Sequence, residues 1–267
     1  MTYLVTGVRG IVGRAVVDQL RAAGKPVRAA SAQPDLATAP AGVELVGLDP
    51  ADPRSVAAAL DGVDKVFYYA AREGVDTFID AAKSAGVAHI VLLSSIATEG
   101  DHNPIGAMHL AVEDPLRESG LPLTILRPGA FAANARAWFS SIKAERVVRQ
   151  PFPDVQLTPI HEADLAAAAI TALDDPARAG KIYPLTGPES LSHRQQVDAI
   201  AVALGEPIEL IELSYEEAVE SYYRPVLDLW AEAGTAPSPV GPTAESVTGT
   251  PARTFAQWAI DHVDDYR

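Results

Sequence analysis

The chain has 267 residues, no cysteine, 48% hydrophobic residues, and 35 acidic against 21 basic side chains, for a formal net charge of −14. Without cysteine there are no disulfides and no thiolate metal sites. Acidity with no concentrated basic face argues against nucleic acid and anionic membranes as partners. The length suits one large α/β domain, or a main domain with a small lobe.

The first twenty residues, MTYLVTGVRGIVGRAVVDQL, set the pattern. Tyr3-Leu4-Val5 is an uninterrupted apolar run, as in a strand buried on both faces. Ile11, Val12, Ala15, Val16 and Leu20 then recur at helical spacing. Between them stand Gly7, Gly10 and Gly13. In a strand-to-helix turn, one glycine permits the bend, one lets backbone approach a diphosphate, and one lets helix and strand pack closely. The first helical amides face the anion with the helix dipole behind them, so the stretch is a candidate dinucleotide cradle. The strand starts almost at Met1 with no apolar leader ahead of it, and no apolar run reaches bilayer length. A soluble, cytoplasmic protein is expected.

Gly24 stops the first helix, and Pro26 to Ala30 predicts a second strand. A Rossmann chain places the reader of the adenosine ribose beyond that strand, and an acid there indicates NAD. Here the residues are Ser31-Ala32-Gln33, with no acid. That leaves room for a 2′-phosphate, with Arg9 the nearest cation in sequence, so NADP is favoured and NAD stays possible; Arg9 can equally be a solvated loop cation. Val43 to Asp49 alternates as a third strand. Asp49 at its end is either an acceptor for the adenine amino group or an ordinary turn residue before Pro50. Val63 to Ala71 predicts a fourth strand with small Ala70 and Ala71 at its exit, Val75 to Ala85 a helix closed by Gly86, and His89 to Ser95 a fifth strand.

Gly106 to Ser119 has helical period with a kink expected at Pro115, and Gly120 to Gly129 holds a sixth strand. Phe131, Trp138 and Phe139 fall at helix-like spacing within Ala130 to Phe152; they are either core or the lining of a substrate pocket. A short strand from Leu157 runs into an alanine-rich helix, Lys181 to Leu185 is a further strand, and the pairs Ser192/Gln195 and Ser214/Glu217 fit capping boxes. Ala236 to Pro251 reads as a long loop before a last helix over Phe255 to His262. The fold class expected is a doubly wound parallel α/β sheet with a small C-terminal α/β substrate lobe. Residues 1–150 would form the dinucleotide-binding core, and 151–267 a mixed segment contributing sheet strands and the lobe.

The segments TGVRGIVG, LDPADPRSVAAALDGVDKVF, HIVLLSS, ESGLPLTILRPGAF, TPIHEADLAAAAITAL and PLTGPESLSHRQQVDAIAVALG stand in that order along nearly the whole chain. In these the sequence resembles the NmrA-like family of atypical short-chain dehydrogenase/reductases. The resemblance implies NAD(P) across the carboxyl edge of the sheet and a C-terminal lobe closing over a substrate cleft. Its cofactor contacts would be Thr6, Gly7, Arg9, Gly10, Ile11, Val12, Asp49, Ala70, Ala71, Ser94 and Pro128, with Ser31 at the ribose position.

The wider superfamily uses a Ser and a Tyr-x-x-x-Lys pair to pass a proton as hydride moves. Aligned here, those places hold Ile96, Ile105 and His109. Isoleucine carries no transferable proton, so the usual relay is missing. His109 is the candidate catalytic residue, either protonating substrate or holding the ribose hydroxyls; it can also be a half-exposed helix histidine. His161 beside Glu162 and Asp164 suggests a dyad or metal site on paper, whereas the family uses this segment as a structural junction; no metal is expected. His102, next to Asp101, together with Phe131, Trp138 and Tyr222, are candidate substrate contacts, and Tyr223 and Trp230 can stack on an aromatic molecule or simply pack their helix.

A site without a strong acid suits a quinone-like or polycyclic aromatic substrate, because hydride addition gives a stabilised phenolate that solvent can protonate. The expected function is therefore an NAD(P)H-dependent oxidoreductase on such a small molecule. The alternatives are a non-catalytic NAD(P) redox sensor and a tailoring enzyme of aromatic natural products that oxygenates or opens a ring. Oligomeric state is left open.

Overall fold

The computed structural model describes residues 1–37, 39–71, 73–100 and 103–267. In its first half, strands β1 (Tyr3–Val5), β2 (Val27–Ser31), β3 (Glu44–Gly47), β4 (Lys65–Tyr69), β5 (His89–Leu93) and β6 (Leu123–Pro128) alternate with helices α1 (Ile11–Ala22), α2 (Pro53–Leu60), α3 (Val75–Ala85) and α4 (Pro104–Glu118). Then follow α5 (Phe139–Glu145), β7 (Val147–Pro151), β8 (Gln156–Leu157), α6 (Glu162–Asp174), β9 (Ile182–Leu185), β10 (Leu191–Ser192) and α7 (His193–Leu204). The last elements are β11 (Glu209–Leu213), α8 (Tyr215–Ala218), α9 (Arg224–Ala233), α10 (Glu245–Thr248) and α11 (Phe255–Asp261).

These elements group into two compact units: Met1–Pro128 with Glu162–Leu185 and Ala244–Gly249, and Gly129–His161 with Thr186–Thr243 and Thr250–Arg267. The units do not follow a single cut at residue 150. The chain leaves the first unit after β6 and comes back to it with α6 and β9, because β9 needs the free edge of β6, where Pro128 pairs with Leu185.

The first unit is a seven-stranded parallel sheet in the order β3-β2-β1-β4-β5-β6-β9. Val5 is in register with Ala29 on one side and Phe67 on the other, so strand order reverses at β1. Such a reversal opens a crevice at the carboxyl ends of the strands. Every residue of β1 and β5 is buried, which is why these strands read as unbroken apolar runs. Strand periodicity directs Leu4, Val66, Tyr68, Ile90, Leu92 and Ile125 into a core shared with Val56 and Leu60 of α2, Phe78 and Ile79 of α3, and Val112 and Leu116 of α4. Each fully buried leucine or isoleucine there contributes about 1.5–3 kcal/mol. Helices α1 and α6 pack on each other, and the buried alanines of α6, among them Ala166, Ala168, Ala169 and Ala172, let it lie close against β4, β5 and β6. Helix α4 runs on through Pro115 to Glu118.

The second unit holds two small sheets, an antiparallel β8–β10 pair and a parallel β7–β11 pair. The helix-like spacing of its aromatics resolves into a 3-10 segment, Ala132–Trp138, followed by α5. Arg146 ends α5 at φ 57°, with Nη1 donating to the Ile142 carbonyl at 2.8 Å, and the β-branched pair Val147-Val148 then opens β7. Both capping boxes form: the Ser192 and Ser214 hydroxyls accept from the Gln195 and Glu217 amides at 3.1 and 3.3 Å, and those side chains answer at 2.8 Å. Among the described residues, no helix is long and apolar enough to cross a membrane.

Candidate functional site

In the first unit the glycine turn is built as its spacing demands. Gly7 has φ +67° and abuts Tyr69, where a Cβ would sit 2.7 Å from the Tyr69 Cβ; a Cβ on Gly13 would come within 2.5 Å of the Gly7 carbonyl oxygen. Side chains are excluded at both places. Gly10 is the N-cap of α1 and no side chain caps the helix, so the Ile11 and Val12 amides have no acceptor within the helix. The Thr6 hydroxyl accepts from the Tyr69 amide at 2.8 Å and ties the ends of β1 and β4 together across the reversal. These atoms border an open groove of about 510 Å3 that Thr6, Gly7, Arg9, Gly10, Ser31 and Ala71 line, along with Gln33, Leu48 and Tyr69. The residues fit a dinucleotide: the groove is lined by Gly7 and Gly10 of the turn, and Gly10 is the N-cap of a helix whose first amides no side chain caps.

Arg9 and Gln33 close the groove beyond β2. Arg9 Nη1 donates to Gln33 Oε1 at 2.5 Å, and the Gln33 amide donates to the Ser31 hydroxyl at 3.1 Å. Other expected cofactor contacts are placed differently. Asp49 is exposed and makes a turn, its Oδ1 accepting from the Ala51 amide at 3.0 Å, while its neighbours Leu48 and Pro50 line the groove. Val12 is buried on α1, Ala70 packs against the core, and Pro128 ends β6. Ser94 is buried, and its hydroxyl donates to the carboxylate of Glu113. Glu113 is fully buried on α4 and takes a forked pair of hydrogen bonds from Arg127, at 3.1 and 2.6 Å.

Ile105 and His109 lie one turn apart on α4, and Ile96 opens the 3-10 turn Ile96–Glu99. Gly106, which the sequence reading passed over, sets their spacing: a Cβ there would be 2.2 Å from the Ala97 carbonyl oxygen, so only glycine lets α4 cross that turn. His109 lies outside the groove lining, and its Nδ1 is buried with no partner among the described residues. Burial holds its imidazole below the ordinary value, against the pull of Glu113, so it is neutral near pH 7 and a weak proton donor. His102 and Asp101 lie outside the described residues. His161 is buried with Nε2 3.3 Å from Asp261 Oδ2, Glu162 and Asp164 open α6, and no metal-holding group of three acidic or histidine side chains occurs among the described residues.

The second unit contains a cavity of about 530 Å3 that brings Phe131, Trp138 and Tyr222 together with Tyr223, Trp230 and His193. Trp138 Nε1 and the Tyr222 hydroxyl both donate to Oε1 of buried Gln150, each at 3.0 Å. The polar handles of both rings are thereby taken up, and the walls offer aromatic surface. His193 packs edge-on to Trp230 at 4.7 Å between centroids. Its Nδ1 lies 3.1 Å from both Gln150 Nε2 and the Phe152 carbonyl oxygen. Sequence reasoning missed Gln150 and His193: the capping box fixes His193 as the first residue of α7, but nothing local says that its ring faces a cavity.

Burial lowers the His193 imidazole from 6.5 to about 4, against the favourable Phe152 carbonyl. The unfolded chain therefore takes up a proton first as pH falls, so stability is constant above the ordinary histidine value and declines below it. This group alone is expected to remove about 2 kcal/mol between about pH 7.5 and about pH 5. His89 and His109, also lowered by burial, act with the same sign. Urea unfolding at the two pH values should show a smaller decline in H193N than in the wild type.

A family model described as NAD(P)H-binding matches residues 7–176. The chain belongs to that family. It is an NAD(P)H-dependent oxidoreductase of the NmrA-like kind that its sequence resembles. This oxidoreductase is 33% identical to the (4-alkanoyl-5-oxo-2,5-dihydrofuran-3-yl)methyl phosphate reductase of Streptomyces griseus, over 98% of each chain. It is 32% identical to the NAD(P)H azoreductase of Xenophilus azovorans, over 97% of each. In fold it superposes on the NADPH-dependent quinone oxidoreductase of Escherichia coli with a TM-score of 0.79 at 24% identity, covering 99% of this chain and 100% of that one. The Citrobacter triphenylmethane reductase complexed with NADP(H) gives 0.80 at 20% identity, covering 98% and 100%.

Proposed function

We propose that this oxidoreductase prefers NADPH and reduces a small planar aromatic substrate, quinone-like or polycyclic, without a Ser/Tyr/Lys proton relay. The observation that carries the reading is the second unit's cavity, walled by rings whose own donors are turned into Gln150. Relatives whose names specify azoreductase and quinone oxidoreductase activity fit a conjugated acceptor. The bound cofactor supplies hydride. The α1 amides and the glycine turn hold its diphosphate, and Arg9, positioned by Gln33, meets the 2′-phosphate. His109, neutral and half-buried on α4, would hold a ribose hydroxyl through Nε2, the ring nitrogen other than its buried Nδ1. Ile96 and Ile105 give no proton, so the substrate must carry its own charge until water protonates it.

Steady-state NADPH oxidation across a panel of naphthoquinones, anthraquinones and azo dyes tests this reading, with oxygen consumption followed alongside. Turnover without oxygen uptake is expected; dinucleotide binding with no turnover overturns it, and stoichiometric oxygen uptake points to the oxygenating alternative. Arg9→Ala is expected to weaken NADPH binding about tenfold, the size of one charge-assisted hydrogen bond. NADH binding should stay as it is, and fluorescence titration of both nucleotides checks the difference.

A further inference from the structure

The cavity reading above leaves open what meets the polar end of the substrate, and the hydrogen bonds around His193 answer it. Gln150 is buried, and its orientation is fixed because Trp138 Nε1 can only donate, so the Gln150 atom facing it is the oxygen. The Gln150 amide nitrogen is then turned to His193 Nδ1, its hydrogen-bond partner at 3.1 Å. If Nδ1 carried the proton, two donors would face each other and the buried Gln150 amide would have no acceptor, at a cost of about 1–3 kcal/mol. The Phe152 carbonyl, 3.1 Å from the same Nδ1, keeps its hydrogen bond from the Val155 amide at 3.1 Å in either tautomer; an unprotonated Nδ1 meets it as a second acceptor, and what decides the proton's place is the buried Gln150 donor, which the other tautomer leaves unmet.

We infer that His193 is neutral with its proton on Nε2, and that this N–H is the hydrogen-bond donor for the carbonyl oxygen of an aromatic substrate in the cavity. The inference rests on the proposed aromatic reductase activity. It assigns to His193 the charge-stabilising part of what the missing Ser and Tyr would have done. As hydride reaches one carbonyl oxygen of a quinone, the ring becomes aromatic and the displaced electron pair settles on the other carbonyl oxygen as a phenolate. The Nε2–H hydrogen-bonds that oxygen and keeps its proton, and water supplies the proton that completes the hydroquinone. Burial, which disfavours the imidazolium, is consistent with a donor that stays neutral.

Two side chains separate the two ring nitrogens. Asparagine reproduces the Nδ1 position and deletes Nε2, whereas glutamine places an amide N–H near the Nε2 position. For a naphthoquinone, H193N is expected to lower kcat/KM about 10- to 100-fold through both kcat and KM, with NADPH affinity unchanged, and H193Q to recover most of it. Independently of turnover, two-bond 1H–15N correlation spectra of the protein without cofactor should show the Nε2–H tautomer for His193. The His193 Nε2 resonance should shift on adding 1,4-naphthoquinone. An Nδ1–H tautomer, or H193N turning over quinone like the wild type, overturns the assignment while the aromatic reductase reading stands. A wild type that reduces no quinone, azo or polycyclic compound overturns both.

Discussion

Replacing Arg127 with methionine is expected to lower stability by about 3–5 kcal/mol, the cost of leaving one partner of a buried ion pair uncompensated. The cause is Glu113, which has no exposed surface and holds a full hydrogen-bonding set: the Ser94 hydroxyl and the forked guanidinium of Arg127. The carboxylate in turn holds the Arg127 guanidinium above its ordinary value, chiefly through those hydrogen bonds. Methionine keeps the length and apolar stem of arginine and removes only the cation, so the loss measures an uncompensated buried charge rather than a cavity. The pair itself is worth little against an apolar isostere, because desolvation offsets most of the attraction. The double variant E113L/R127M should therefore regain most of what R127M loses. Chemical denaturation of the two single variants and the double closes the cycle. A loss in R127M no larger than that of an exposed ion pair, about 0–1 kcal/mol, would mean that the buried Glu113 does not depend on Arg127.

That network also shows where the sequence was opaque. Ser94, the residue after β5, was a cofactor contact by the family resemblance alone. Its bond to Glu113 depends on a residue nineteen positions further on, in α4, and on an arginine from β6, and no local period encodes that meeting. Asp49 had two readings, and the structure shows the turn: its Oδ1 accepts from the Ala51 amide, while the residue stays exposed beside the groove-lining Leu48 and Pro50. The elements themselves were far more legible. The central strands β1, β4 and β5 are buried almost throughout and so declare themselves as mainly apolar runs, and capping boxes mark the starts of α7 and α8 by side chains three residues apart.

The second unit was harder for the opposite reason. Its strand β11, Glu-Leu-Ile-Glu-Leu, lacks strict alternation and has little burial, and its partner β7 is hidden behind an aromatic run that mimics helical spacing. Yet Phe131, Trp138 and Tyr222, taken from the sequence as substrate contacts, do share one cavity. Their size made them visible; the small polar groups that orient them, Gln150 and His193, carry no such signature.

The largest expected effect on ligand binding comes from Gly13→Ala. The added Cβ would lie 2.5 Å from the Gly7 carbonyl oxygen, 2.9 Å from its carbon and 3.1 Å from the Thr6 carbonyl oxygen. All three are backbone atoms at the junction of β1 and α1, so no flexible side chain can yield. Relief requires the first turn of α1 to move away from β1, taking the Ile11 and Val12 amides with it. Hydrogen bonds to a charged group are worth about 1.5–3 kcal/mol each, so displacing one should raise the NADPH dissociation constant about 10- to 100-fold. Isothermal titration measures it directly. Gly47→Ala is the control, since among the described residues the atom near its Cβ is Pro34 Cγ at 3.7 Å, an ordinary contact; that variant should bind NADPH like the wild type. Thermal melting separates the two ways in which G13A can fail: a folded variant with lost affinity locates the diphosphate at the head of α1, whereas a folded variant with unchanged affinity removes it from there.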